Sequence, residues 1–121
     1  MSAGPSLRRG SLLEGLEGAA TGPERVTVLT EGPGWRLERI VSHGHASAPG
    51  FWYDQHEDEL VLVVAGAARL EVEGGSMIEL APGDWLELPA HLRHRVDWTA
   101  DTEPTVWLAL LTAPDVEGAS D

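Results

Sequence analysis

The chain has 121 residues, 42% of them apolar, with 20 acidic side chains against eight basic ones for a formal charge of −12. That length suits one domain with its own core and is too short for two, and the apolar share argues against disorder. Such acidity repels phosphate backbones and anionic lipid heads, which argues against nucleic acid and membrane as partners and leaves small molecules and metal ions.

Cysteine is absent, which removes disulfides, thiolate metal sites and a cysteine nucleophile together. Residues 1–20 read as a flexible N-terminal segment, rich in Gly, Ser and Pro over its first half. Arg8 and Arg9 ahead of Leu12 and Leu13 begin like a targeting signal, but Glu14 and Glu17 interrupt the apolar run. No secretory core forms and no stretch reaches membrane-spanning length, so a cytoplasmic location is expected. Ser11 and Glu14 have capping-box spacing, while Gly15 and Gly18 limit any helix there to a turn or two.

Strand signals follow in succession. Residues 25–30 and 35–42 flank a turn at Glu31, Gly32, Pro33 and Gly34. Residues 43–50 read as a loop, 51–55 as an aromatic extended stretch, and 59–65 as a continuous apolar run suited to a strand buried on both faces. Over 68–73 the pattern alternates, with Leu70 and Val72 inward and Arg69, Glu71 and Glu73 toward water. Gly74 and Gly75 suit a two-residue hairpin turn leading into 76–80, and Pro82 and Gly83 suit the middle of a type II turn. Residues 84–88, 93–98 and 105–112 supply the last strands, and 113–121 read as a flexible C-terminal tail. About nine short strands with little helix predict one all-β barrel or jelly roll over 21–112, some of the five tryptophans lining its interior.

All five histidines fall between positions 43 and 94, and residues 53–59 add a dense set of oxygen and nitrogen donors ahead of a strand. At strand period, residues 53, 55, 57 and 59 share a face. With that face inward, Tyr53, Gln55 and Glu59 enter the barrel and Glu57 sits at its mouth. His43 and His45 have the spacing of a metal pair, but their loop of small residues and their distance from Glu59 favour a loop role. Arg93 and Arg95 alternate with His94, so they face outward and pair with surface acids. Phosphate-binding glycine loops, a Schiff-base lysine, a nucleophile elbow and HExxH are all missing.

These residues resemble the cupin superfamily, in particular its small single-domain bacterial members, over roughly residues 34–112. The family's first motif is His-x-His, three or four residues, Glu, six residues, Gly; here Glu59 and Gly66 keep that separation, while Tyr53 and Gln55 occupy the two histidine positions. The second motif is Gly, five residues, Pro-x-Gly, two residues, His, three residues, Asn. Gly83, Pro89 and His94 match it, with His91 in place of the inner Gly and Trp98 in place of Asn.

The resemblance implies a double-stranded β-helix with a divalent-metal-capable pocket. By position, His94 and Glu59 remain as ligands, and Gln55 offers a neutral amide oxygen. His91, across the turn, would complete a two-His-one-carboxylate set, and His56 would join only through a bulge. Zinc or iron heads the list of expected ions, followed by manganese, nickel or copper. Tyr53 is expected as a pocket hydrogen-bond donor and Glu57 as a general base at the rim. The function this implies is a metal-dependent enzyme acting on a small molecule, by Lewis-acid, isomerase, cyclase or dioxygenase chemistry; the alternative is a non-catalytic binding or sensor module. Homodimers are common in the family, and the N-terminal strand offers an edge that could pair across one.

Overall fold

A computed structural model describes residues 4–114. Eight strands build it: β1 (Arg25–Gly32), β2 (Trp35–Ser42), β3 (Asp58–Ala65), β4 (Ala68–Val72), β5 (Ser76–Leu80), β6 (Trp85–Leu88), β7 (His94–Thr99) and β8 (Thr105–Thr112). Five pair in the order β1-β2-β8-β3-β6 and three in the order β5-β4-β7, and every pairing between them is antiparallel. There is no helix among the described residues. This is the expected all-β jelly roll.

The core lies between the two sheets. Val61, Val63, Ala109, Trp107, Leu111 and Leu88 from the larger sheet meet Ala68, Leu70 and Leu80 from the smaller. Alternation sets this: in β8, Trp107, Ala109 and Leu111 are buried while Leu108 and Leu110 point away. Each Å² of apolar surface removed from water stabilises the fold by about 25 cal/mol, which makes this shared interior the main stabilising term.

Three details differ from the sequence expectation. Residues 51–55 form no strand; only Tyr53 bridges, to His94. A turn closed by Phe51 N–H to the Ala48 carbonyl (3.0 Å), with Gly50 at φ 81°, brings the chain in at an angle that allows one bridge and no ladder. The β4–β5 hairpin has three loop residues, because Val72 pairs with Ser76 and Gly75 N–H closes on the Val72 carbonyl at 3.1 Å. β3 is buried mainly on its inward face, and Leu60 on the other side is 37% exposed. Of the five tryptophans only Trp107 is buried.

Ser11 and Glu14 form one turn: Glu14 Oε1 accepts Ser11 N–H at 3.0 Å and Ser11 Oγ accepts Leu13 N–H at 3.1 Å. Arg25 donates to the carbonyls of Gly15 (2.8 Å) and Glu17 (2.6 Å), and Arg39 to those of Leu12 (3.0 Å) and Glu14 (2.7 Å). These bonds tie residues 12–17 to β1 and β2. Residues 1–3 and 115–121 of the two terminal segments lie outside the described residues.

Candidate functional site

A cavity of about 230 Å³ opens within the barrel. Its floor is apolar, from Val61, Leu70, Leu88, Val96, Trp107 and Leu111; its polar wall is Glu24, Arg36, Glu38, Tyr53, Gln55, Glu59 and His94. A few convergent polar groups over an apolar body is the usual make-up of a small-molecule site.

His94 opens β7 and is only 5% exposed. Its Nδ1–H donates to the Leu92 carbonyl at 2.9 Å. That bond fixes the tautomer and leaves Nε2 facing the cavity, 3.7 Å from Glu59 Oε1. Burial pulls the His94 pKa down, but the neighbouring Glu59 carboxylate and the Leu92 carbonyl outweigh it, and the net shift is upward.

Glu59, second in β3, sits opposite Leu88 on one side and Leu111 on the other. It accepts a hydrogen bond from the Gln55 amide at 3.3 Å. Tyr53 is held by reciprocal backbone bonds with His94 (2.7 and 3.2 Å), and its ring stacks on the imidazole at 5.4 Å. Burial, then the charges of Glu24 and Glu59, raise the Tyr53 pKa, so the phenol keeps its proton.

Tyr53, Gln55, Glu59 and His94 thus meet in one cavity. The other three expected site residues do not. His91 has a 69% exposed side chain, takes φ 66°, and binds Asp54 through Nδ1 at 2.8 Å. Its backbone N–H goes to the Gln55 carbonyl (2.7 Å), which turns the imidazole outward, so the two-His-one-carboxylate set does not assemble. His56 is exposed, because no bulge brings it in. The Glu57 carboxylate is clamped by Arg36 at 2.5 and 3.2 Å, and as half of a two-point ion pair it is not a free general base.

His43 Nε2 and His45 Nε2 bind the carbonyls of Asp101 and Gly22, both at 2.9 Å, which confirms their loop role. Arg93 pairs with Glu73 (2.9 Å) and Arg95 with Glu71 (3.2 Å), as their alternation required. Among the described residues, no three His, Asp or Glu side chains converge as a metal-binding group.

Sequence reasoning missed Glu24, Arg36, Glu38 and Trp107. The signal for two of them was present: Arg36, Glu38 and Ile40 stand two apart on β2, so the inward Ile40 places both charged residues on the cavity face. Arg36 is held by Glu38 (2.8 Å) as well as Glu57, which raises its already high pKa.

The sequence matches the family model of Cupin_2, the cupin domain, over residues 37–111. A structure from Ralstonia eutropha JMP134, provisionally named a mannose-6-phosphate isomerase, is 46% identical over 89% of this chain and 100% of its own, with TM-score 0.85. A cupin superfamily protein from Desulfitobacterium hafniense DCB-2 aligns with TM-score 0.71 at 19% identity, covering 90% of this chain and 94% of its own. The Cupin_2 domain of an XRE family transcriptional regulator from Enterobacter cloacae gives 0.63 at 17% identity, covering 76% of this chain and 98% of its own. No curated protein matches the chain. With the family pattern spanning most of the barrel, and Glu59, Gly66, Gly83, Pro89 and His94 at its motif positions, the chain belongs to the cupin domain family.

Proposed function

We propose that the barrel binds a small organic molecule, with its polar end against Tyr53, Gln55, Glu59 and His94 and its apolar body on the Val61, Leu70 and Leu88 floor. The observation that carries this reading is a buried histidine whose tautomer is set by Leu92 and whose Nε2 faces a cavity. His94 and Glu59 form a pair able to take up and return a proton at Nε2. The name of the 46% identical structure, an isomerase, supports chemistry in which a proton is moved.

A fragment set of small polar-headed molecules, followed by protein NMR, tests the pocket. Val26 lines the cavity yet is 56% exposed, so Val26→Trp plugs the site with little cost to the core. Hits lost in Val26→Trp are expected. No hits, or hits indifferent to the plug, would overturn the reading.

A second reading has one observation in its favour. Two donors on one ion at about 2.1 Å each lie no more than about 4.2 Å apart, and His94 Nε2 and Glu59 Oε1 are 3.7 Å apart. They fit a divalent ion, with Gln55 as a neutral third donor once its amide oxygen is turned inward. Such an ion would supply a Lewis acid; the chain's own part is to hold His94 in its tautomer and Glu59 beside it. Elemental analysis decides: near-stoichiometric metal in the parent, lost in His94→Ala and kept in His91→Ala, supports this reading, and a metal-free parent that takes up none sinks it.

The homodimer forms part of the proposal, with two copies joined through the apolar outer face of β3 and β8.

A further inference from the structure

The cationic and amide donors that line the cavity are already engaged, which leaves it the neutral Tyr53 phenol. Arg36 is answered twice, by Glu38 at 2.8 Å and Glu57 at 2.5 Å. Gln55 gives its amide to Glu59. Trp107 Nε1–H donates to Ser42 Oγ at 3.0 Å, and since that oxygen is accepting, the Ser42 hydroxyl is free to donate onward, to Glu24. Ser42 is fully buried, so this relay fixes Glu24 as a built acceptor on the cavity wall.

The acceptors, in contrast, remain open to the cavity. Glu24 and Glu59 line the same cavity as Tyr53. His94, nine-tenths buried and more, presents Nε2 with Glu59 still beyond hydrogen-bond distance at 3.7 Å. With Nδ1–H committed to Leu92, a neutral imidazole offers a lone pair there. When the ring is protonated, its second N–H turns to Glu59 and is spent in the same way. An anionic ligand would meet carboxylates with no uncommitted cation, and a buried unpaired charge is costly. A cationic donor would find the Glu24 and Glu59 carboxylates and the His94 lone pair in one cavity.

We propose that the ligand of this cavity is a small organic cation, a protonated amine on a compact apolar body, and not a phosphorylated or carboxylated molecule. This rests on the small-molecule reading of the pocket and narrows its chemical class. The size agrees: 230 Å³ is room for roughly eight waters at about 30 Å³ each. The net charge of −12 draws cations toward the molecule as a whole.

Three probes that share one ring separate the charge from the body: benzylamine, benzyl alcohol and benzoate. Each is titrated in chelator-containing buffer into the parent, Val26→Trp and Glu24→Gln, following the Trp107 indole N–H by NMR. The expected result is benzylamine binding about tenfold or more tighter than benzyl alcohol, no shift with benzoate, and an amine preference that collapses in Glu24→Gln. Benzyl alcohol or benzoate binding as well as the amine, and lost in Val26→Trp, overturns the cation assignment while the pocket reading stands. No binding by any of the three, or binding that survives the plug, overturns both.

Discussion

His94 carries most of what the site can do, and its shifted pKa has a stability consequence. The folded state raises that pKa above the unfolded value because Glu59 and the Leu92 carbonyl favour the imidazolium more than burial disfavours it. The folded protein therefore holds this proton more tightly than the unfolded chain. The contribution is fully present below the unfolded pKa near ~6.5 and is lost as pH rises through the folded pKa. In metal-free protein, an NMR titration should place the His94 midpoint above that of an ordinary histidine, and Glu59→Gln should bring it down. A midpoint unmoved by Glu59→Gln would show that the carboxylate is not the cause. How far this site was legible follows from the same residues. Motif spacing points to Tyr53, Gln55, Glu59 and His94 as one group, and they do line one cavity, although 53 and 55 lie outside any strand. Spacing is silent on His91, whose outward turn depends on φ 66° and on Asp54, thirty-seven residues away in sequence. It is equally silent on Glu57, because Arg36 reaches it from β2.

At the scale of elements, the two motif glycines answer different demands. Gly66, in the β3–β4 turn, takes φ 87°, and a Cβ there would stand 2.6 Å from Thr105 Cα and 2.7 Å from the Pro104 carbonyl oxygen. Thr105 is fully buried, and its hydroxyl serves both the N–H (3.2 Å) and the carbonyl (3.0 Å) of Ala67, so it has no room to retreat. Gly83 also has positive φ, at 95°, but nothing lies within 4 Å of its would-be Cβ. Gly83→Ala should cost about 1–2 kcal/mol for backbone strain alone. Gly66→Ala should cost that plus about 1–3 kcal/mol for the clash with backbone. Urea denaturation of both variants measures the difference, and equal losses would remove the close-approach argument. Turns of this kind are what the sequence announces best: the type II turn appears as expected, with Asp84 N–H on the Ala81 carbonyl at 2.9 Å. The stretch 51–55 was misread as a strand because aromatic composition shows extended backbone without showing how many partners it finds. There it finds one, through Tyr53.

At the scale of the molecule, a surplus of apolar surface calls for an explanation. A two-layer β fold needs one buried face per sheet, and the outer face of its strands is ordinarily polar. Here the middle of the five-stranded sheet breaks that pattern. Leu60 stands opposite Leu110 and Leu62 opposite Leu108, all turned away from the core, with Leu37 and Trp85 extending the two rows. Trp85 is 64% exposed. In the proposed dimer this outward apolar patch is the association surface, and a second copy would meet it with the same rows by two-fold symmetry. Two such acidic copies repel at long range, and added salt screens that repulsion while leaving apolar burial intact. Sedimentation equilibrium should therefore give twice the 13.0 kDa chain mass, with association tightening as salt rises. Leu60→Glu, which places a like charge on both sides of the contact, should return the protein to the single-chain mass with its far-ultraviolet spectrum unchanged. A parent that sediments as a single chain at every concentration and salt level would end the dimer proposal. A dimer indifferent to Leu60→Glu would move the contact to another surface.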